Sequence, residues 1–319
     1  MKKICITGAN GFIGKFLCKV LNSSDRSIRG IVRTLNTSIN SSKIEYVPVG
    51  DMSSKINWRE HLNGFDCIIH CAGKAHIMNE KKESKDSNAY HLANTEVTKV
   101  LAEQAAEAGV KRLIFLSSVK VNGESTYQIN NKQKFSHKDI SNPKDPYAIS
   151  KLEAEKVLWE ISSRTGLEVV VVRLPLVYGY GAKGNLARLI KLVRSRIPLP
   201  LSKVKNQRSM IGIDNLVDLL IQCIDRPEAS GKTFLASDDE DLSTPELIKL
   251  IASSMGRRAN LFSLPIFVLK FLGSIFGKSE EINRLVGSLR IDKNYIKEIL
   301  NWTPPISVKE GIRRMVQGK

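Results

Sequence analysis

Cysteine is scarce and unpaired in this chain: Cys5, Cys18, Cys67, Cys71 and Cys223 are an odd number, stand within apolar runs and form no Cys-x-x-Cys pair. That usage argues against a disulfide framework or a zinc site and reads as reduced, packed thiols of a cytoplasmic protein. Long apolar runs are missing too. The greasiest stretch, Leu261 to Phe276, is broken by Pro265, Lys270 and Gly273 and falls short of the roughly 20 residues that a bilayer needs. Met1-Lys2-Lys3 leads at once into Ile4-Cys5-Ile6-Thr7-Gly8, which predicts an opening strand rather than a secretory leader. No repeat of solenoid length and no low-complexity tract occurs. Acid is in short supply: 32 Asp and Glu face 49 Lys and Arg, a formal charge of +17. The excess points to an anionic partner, whether nucleic acid, a membrane surface or a phosphate-bearing small molecule, and charge alone does not choose among them.

What is present is ordinary globular usage. The 319 residues are 42% hydrophobic and 25% charged, enough for a sizeable core and two lobes. Short β-branched runs at Lys3 to Thr7, Ser27 to Arg33, Ile44 to Val47, Cys67 to His70, Arg112 to Ser117 and Glu168 to Val172 alternate with amphipathic segments. Those at Phe12 to Leu21, Ala93 to Ala108 and Tyr147 to Thr165 carry apolar residues at helical spacing, with Gly109 and Gly166 where helices stop. The alternation predicts an α/β, Rossmann-type doubly wound parallel sheet over residues 1–175. Prolines then punctuate a smaller C-terminal α/β lobe over 176–319, with the boundary approximate and the lobes interleaved.

The first strand runs into Gly8-Ala9-Asn10-Gly11-Phe12-Ile13-Gly14 and then a helix. Gly8 allows a tight turn, Gly11 lets backbone approach a pyrophosphate, Gly14 lets helix pack on strand, and the helix terminus favours an anion. Nineteen residues past Gly14, where an NAD enzyme places an acid against the ribose 2'-hydroxyl, this chain has Arg33. A guanidinium there suits a 2'-phosphate and tips the cofactor from NAD towards NADP; an Arg lying in solvent along the adenine is the plain alternative. Further on, Tyr147-Ala148-Ile149-Ser150-Lys151 puts a phenol and an ammonium on one helix face. A phenol acts as a base near neutrality only if positive charge stabilises its anion. Taken alone, Tyr-x-x-x-Lys is more often a surface pair; its place after a dinucleotide loop reverses the odds.

The Gly-x-x-Gly-x-x-Gly loop with Tyr-x-x-x-Lys resembles the extended short-chain dehydrogenase/reductase family, also called the NAD-dependent epimerase/dehydratase family, over nearly the whole chain. The resemblance implies Ser118, Tyr147 and Lys151 as the catalytic set, with Ser117 as the backup for the hydroxyl. Asn122-Gly123 departs from the family's aromatic-Gly pair. It implies cofactor contacts from Gly8, Asn10, Gly11, Phe12, Ile13, Gly14, Arg33, Asp51 at the adenine with Met52 beside it, Cys71-Ala72-Gly73, Asn94, Ser117, Pro175 and Val177. Sugar-diphosphate contacts fall to Ser118, Asn185 and Arg208, and no metal is implied. Ser118-Val119-Lys120 lacks the two acids of the family's dehydratases, so sugar dehydration is not expected. Segments 71–80, 119–124 and 241–247 look like a bacterial O-antigen subgroup acting at carbon 4 of UDP-sugars. Within it, Arg33 favours an NADPH-dependent UDP-4-keto-6-deoxy-N-acetylhexosamine reductase, with a UDP-glucose or UDP-N-acetylglucosamine 4-epimerase holding NAD as the alternative. The resemblance also implies a homodimer through a four-helix bundle of residues 93–108 and 152–165. His76 and Met78, in a loop after the fourth strand, read as unremarkable loop residues, with a cover over the sugar as the alternative.

Two other classes were weighed. Nucleic-acid binding would explain the charge, yet the basic residues are scattered and no aromatic-interleaved basic motif occurs. A membrane-surface role rests on Leu261 to Leu272, apolar around much of a helix and flanked by Arg257, Arg258 and Lys278. Burial of that helix against its own core is the expected outcome.

Overall fold

The computed structural model describes residues 2–35, 43–74, 87–126 and 134–318; His76 and Met78 lie outside them. Seven parallel strands form the main sheet: β1 (Lys3–Thr7), β2 (Ser27–Val32), β3 (Ile44–Pro48), β4 (Cys67–His70), β5 (Arg112–Ser118), β6 (Glu168–Leu174) and, after a two-strand excursion, β9 (Lys232–Leu235). Their order is β3-β2-β1-β4-β5-β6-β9. The order reverses between β1 and β4, and that is where an open α/β sheet leaves a crevice at the carboxyl ends of its strands. Every residue of β5 is buried, as expected of a strand covered on both faces.

Helices supply the two covers. On one face α1 (Phe12–Leu21) and α7 (Ile213–Asp225) pack Leu17, Cys18, Leu216 and Leu220 onto Ile4, Ile6 and Ile114. On the other, α2 (Arg59–Leu62), α4 (Val97–Glu107) and α5 (Pro146–Thr165) pack Leu62, Leu101 and Leu158 onto Cys5, Phe115 and Val171. Helix α5 has matching start and stop signals. Asp145 caps it, its carboxylate accepting from the Ala148 amide at 2.8 Å, Pro146 follows the cap, and Gly166 ends it at φ 77°. Helix α3 (Ser87–Tyr90) joins α4 through a π-helical turn, His91–Glu96, and such turns often mark functional positions.

The second lobe holds the short parallel pair β7 (Leu176–Tyr178) and β8 (Met210–Gly212). Around it stand α6 (Asn185–Arg194), α8 (Thr244–Ser254), α9 (Ile266–Ile275), α10 (Ser279–Val286) and α12 (Val308–Gln317), whereas α11 (Asn294–Leu300) packs Ile296 and Leu300 onto the core of the first lobe. Chain passing through this lobe returns to the first, because α7 packs on α1 and β9 pairs with β6. Helix α9 departs from expectation. Only Leu269 and Gly273 of it are buried, since it meets α10 at a close approach where a Cβ on Gly273 would sit 2.7 Å from the Ile282 side chain. Phe267 and Phe271 face outward instead.

Candidate active site

The loop from β1 to α1 is shaped by its glycines. Gly8 has φ 66°, and a Cβ there would lie 2.9 Å from the Ala72 amide nitrogen; a Cβ on Gly14 would collide with the Gly8 carbonyl. Gly11 caps α1 with no side-chain bond, and no acid stands in the first turn. A Cβ on Gly11 would meet nothing within 4 Å except the Gly8 carbonyl oxygen. The α1 terminus therefore presents its dipole to open space beside a bare backbone, which fits a pyrophosphate. Asn10 is half-buried in this loop, and Phe12 and Ile13 pack against the α1/α7 core. At the end of β2, Arg33 and Asp51 form one ion pair, Nε to Oδ1 3.0 Å, with side chains 73% and 87% exposed. Met52 packs on the α4/α5 core. Sequence reading treated Arg33 and Asp51 as separate contacts; the structure joins them.

The end of β4 is held by a chain of hydroxyls and one imidazole. Thr98 Oγ1 donates to the Asn94 carbonyl at 2.6 Å, so it accepts from His70 Nε2 at 3.1 Å. His70 Nδ1 then accepts from Thr7 Oγ1 at 2.7 Å, and Thr7 Oγ1 accepts from the Ala72 amide at 3.2 Å. One neutral tautomer satisfies every member. Burial, with Lys151 acting in the same direction, pushes the His70 pKa down to about 3 from 6.5. An unfolded chain binds a proton between those values, so the stability from this neutral ring is complete above pH 6.5 and is lost as pH falls. Urea unfolding is expected to become easier by about 2 kcal/mol between about pH 6.5 and 5, and His70→Asn should flatten that slope. Sequence reading missed Thr7 and Thr98, single hydroxyls in apolar or amphipathic runs.

Asn94 in the π-helical turn is fully buried and bonded on all sides. Its Oδ1 accepts from the Lys74 amide at 2.8 Å, and its Nδ2 donates to the Lys74 carbonyl at 3.1 Å and to Ser150 Oγ at 3.0 Å. It clamps the Cys71-Ala72-Gly73-Lys74 segment onto α5. Gly73 leaves space that a Cβ would take, 2.9 Å from Asn94 Oδ1 and 3.3 Å from Lys151 Nζ.

Ser118 and Tyr147 meet where β5 ends and α5 begins, and Lys151 stands one turn further along α5. The Tyr147 phenol hydrogen-bonds Ser118, which holds its pKa down, but burial prevails and pushes it up to about 12, with Asp145 and Tyr90 adding to the rise. The Tyr147 ring lies edge-on to Tyr90 at 6.1 Å. Burial drives the Lys151 pKa down to about 8, against the upward pull of Glu155 and Cys71. Its ammonium donates to the Leu116 carbonyl at 2.9 Å and sits 4.5 Å from the centre of the Phe115 ring. Tyr147 is thus a protonated phenol at neutral pH, with a nearly neutralisable amine one helical turn away.

Ser117 turns the other way. Its hydroxyl donates to Glu155, and Glu155 is clasped by Arg173, Nη2 to Oε2 2.6 Å and Nε to Oε1 3.1 Å. Arg173 also donates to Asn122 Oδ1 at 3.0 Å. This buried network accounts for an amide at position 122, where the resembled family has an aromatic ring. It occupies Ser117, whose hydroxyl faces Glu155 rather than the phenol. Glu155 itself was missed by sequence reading, although it stands on the Tyr147-Lys151 face at the next four-residue step.

The second-lobe candidates are more dispersed. Pro175 links β6 to β7, where Val177 pairs with Ile211. Asn185 is the exposed first residue of α6. Arg208 Nη1 donates to the carbonyls of Arg284 at 2.7 Å and Gly287 at 3.3 Å, and burial with the neighbouring Arg284 lowers its pKa. Among the described residues no group of His, Cys, Asp and Glu could hold a metal ion.

An unblocked helix terminus at the point where strand order reverses marks a dinucleotide-binding crevice. Residues 4–236 match the NAD dependent epimerase/dehydratase family, and the chain belongs to it. A UDP-glucose 4-epimerase of Vibrio cholerae is 39% identical over 318 residues, covering 99% of this chain and 95% of that protein. An N-acetyl-alpha-D-glucosaminyl-diphospho-ditrans,octacis-undecaprenol 4-epimerase of Escherichia coli O157:H7 is 21% identical, covering 98% and 94%. The fold matches the crystal structure of UDP-glucuronic acid 4-epimerase from Bacillus cereus in complex with NAD, with TM-score 0.78, 20% identity and coverage of 99% and 97%.

Proposed function

We propose that this protein interconverts UDP-sugars at carbon 4, as a 4-epimerase that keeps its NAD bound. The observation that carries the reading is the Ser118-Tyr147-Lys151 cluster beside the unblocked α1 terminus. The 39% identity with a UDP-glucose 4-epimerase over 99% of the chain supports the sugar class. A nicotinamide, when bound, supplies hydride uptake and return. Gly8, Gly11, Gly14 and the first turn of α1 would hold its pyrophosphate, and Gly73 and Lys151 would serve its nicotinamide half. Ser118 holds the sugar oxygen next to the Tyr147 phenol. Tyr147 takes the proton of the 4-hydroxyl as the carbon is oxidised and gives it back on reduction. The positive charge of an oxidised nicotinamide, added to that of Lys151, would lower the phenol towards neutrality; with Lys151 alone in place burial keeps it near 12. Those parts of residues 176–319 that stand off the main sheet form the nucleotide-sugar lobe, with Asn185 and Arg208 towards the diphosphate. The protein works as a cytoplasmic homodimer through α4 and α5, a reading supported by exposed Ile149 on α5 and exposed Leu92 in the π-helical turn before α4.

Arg33 supports a second reading, the NADPH-dependent 4-keto reductase. Its guanidinium stands just past the end of β2, where it would suit a 2'-phosphate, but Asp51 shares its charge, which weakens that case. The two readings separate on purified protein, denatured and analysed by mass for released nucleotide. Stoichiometric NAD is expected. Empty protein that prefers NADPH to NADH, with the preference reversed by Arg33→Asp, would give the reductase its case.

A further inference from the structure

Helix α9 leaves an apolar face that none of the described residues covers. Phe267 is 73% exposed, Phe271 64%, Ile275 61% and Phe276 71%. Rings left in water at that level on one short helix mark a contact surface. The helix is ten residues long, and no described helix is long and apolar enough to cross a membrane. It can lie on a bilayer but not span it.

The surroundings give the charge of the partner. No Asp or Glu occurs between Glu246 and Glu280, a stretch that carries Lys249, Arg257, Arg258, Lys270 and Lys278, and none occurs between Glu168 and Asp214. These acid-free stretches are bonded to each other, among other contacts by Arg257 Nη1 to the Arg194 carbonyl at 2.8 Å, Asn260 Nδ2 to the Arg196 carbonyl at 3.1 Å, and the Phe262 amide to the Leu199 carbonyl at 3.0 Å. The first acids beyond, Glu280 and Glu281, are held by Arg284 and Arg188. A cleft of about 470 Å³ on this lobe is lined by Lys249, Arg257 and Arg258 over an apolar floor at Pro245 and Leu261. A second copy of the chain would bring these cations against their own kind with no acid between them.

We infer that this lobe docks on the surface of an anionic phospholipid bilayer, α9 entering the interface with its Phe267 and Phe271 rings while the basic rim and cleft take lipid phosphates. The surface is separate from the residues of the proposed reaction, so its test is independent of that reading. In flotation, the full-length protein is mixed with vesicles of phosphatidylcholine, alone or with phosphatidylglycerol. The wild type is expected to float with the anionic vesicles only, and less so at high salt. Phe267→Ser with Phe271→Ser should weaken binding by about a hundredfold, roughly tenfold per ring, with Tm unchanged. Arg257→Glu with Arg258→Glu should weaken it as well. A wild type that stays at the bottom with anionic vesicles overturns the inference, as does unchanged flotation of the Phe variant. A lipid-free oligomer that the Phe variant splits would overturn it in favour of a self-contact.

Discussion

Tyr147→Phe is expected to lower kcat on the order of a thousandfold while leaving Tm and cofactor affinity near those of the wild type. The ring stays, with its edge contact to Tyr90 at 6.1 Å, so the fold has no reason to loosen. Only the hydroxyl is lost, the group that hydrogen-bonds Ser118 and would carry the proton. Initial rates with a saturating UDP-sugar, set beside a thermal melt and a cofactor titration, check all three at once. Turnover within a few-fold of the wild type would mean that another group moves the proton.

Glu155→Ala is expected to act through stability. It leaves the Arg173 guanidinium, whose side chain is only 8% exposed, without its carboxylate, and breaking one side of a buried pair costs about 3–5 kcal/mol. Tm should fall by about 5–15 °C. The loss reaches the site as well, because Glu155 pulls the Lys151 pKa upward and fixes Ser117 beside Ser118. Its removal should take the Lys151 pKa further below about 8, so that cofactor affinity declines at a lower pH than in the wild type. Glu155→Met with Arg173→Met should recover most of the Tm, since packed apolar side chains replace such a pair at little cost, and should leave the shifted pH dependence in place.

The sheet was legible because its signals are local. Six β-branched runs set between helical periods predict β1 to β6, and the observed strand ends differ from them by two residues at most. The glycine loop and Tyr147-Lys151 were legible for the same reason: each lies within one turn or one helix. What sequence reading could not supply is cross-strand bonding. The Thr7-His70-Thr98 chain joins positions 63 and 28 residues apart, and Glu155 meets Ser117 and Arg173 from a third element. Arg33 and Asp51 each read correctly as a charge at a strand end, yet their pairing depends on the β2-β3 register. Helix α9 shows the opposite limit. Its composition is that of a core helix, and only the three-dimensional packing at Gly273 reveals that a single ridge is covered.

Proton NMR of UDP-glucose or UDP-N-acetylglucosamine, incubated with the enzyme in deuterated water, tests the proposed chemistry most directly. Hydride that leaves carbon 4 for a retained nicotinamide and returns to it never meets solvent. The account predicts the 4-epimer with protium still at carbon 4. Deuterium at carbon 4, or sugars that stay unchanged with NAD bound, would contradict it.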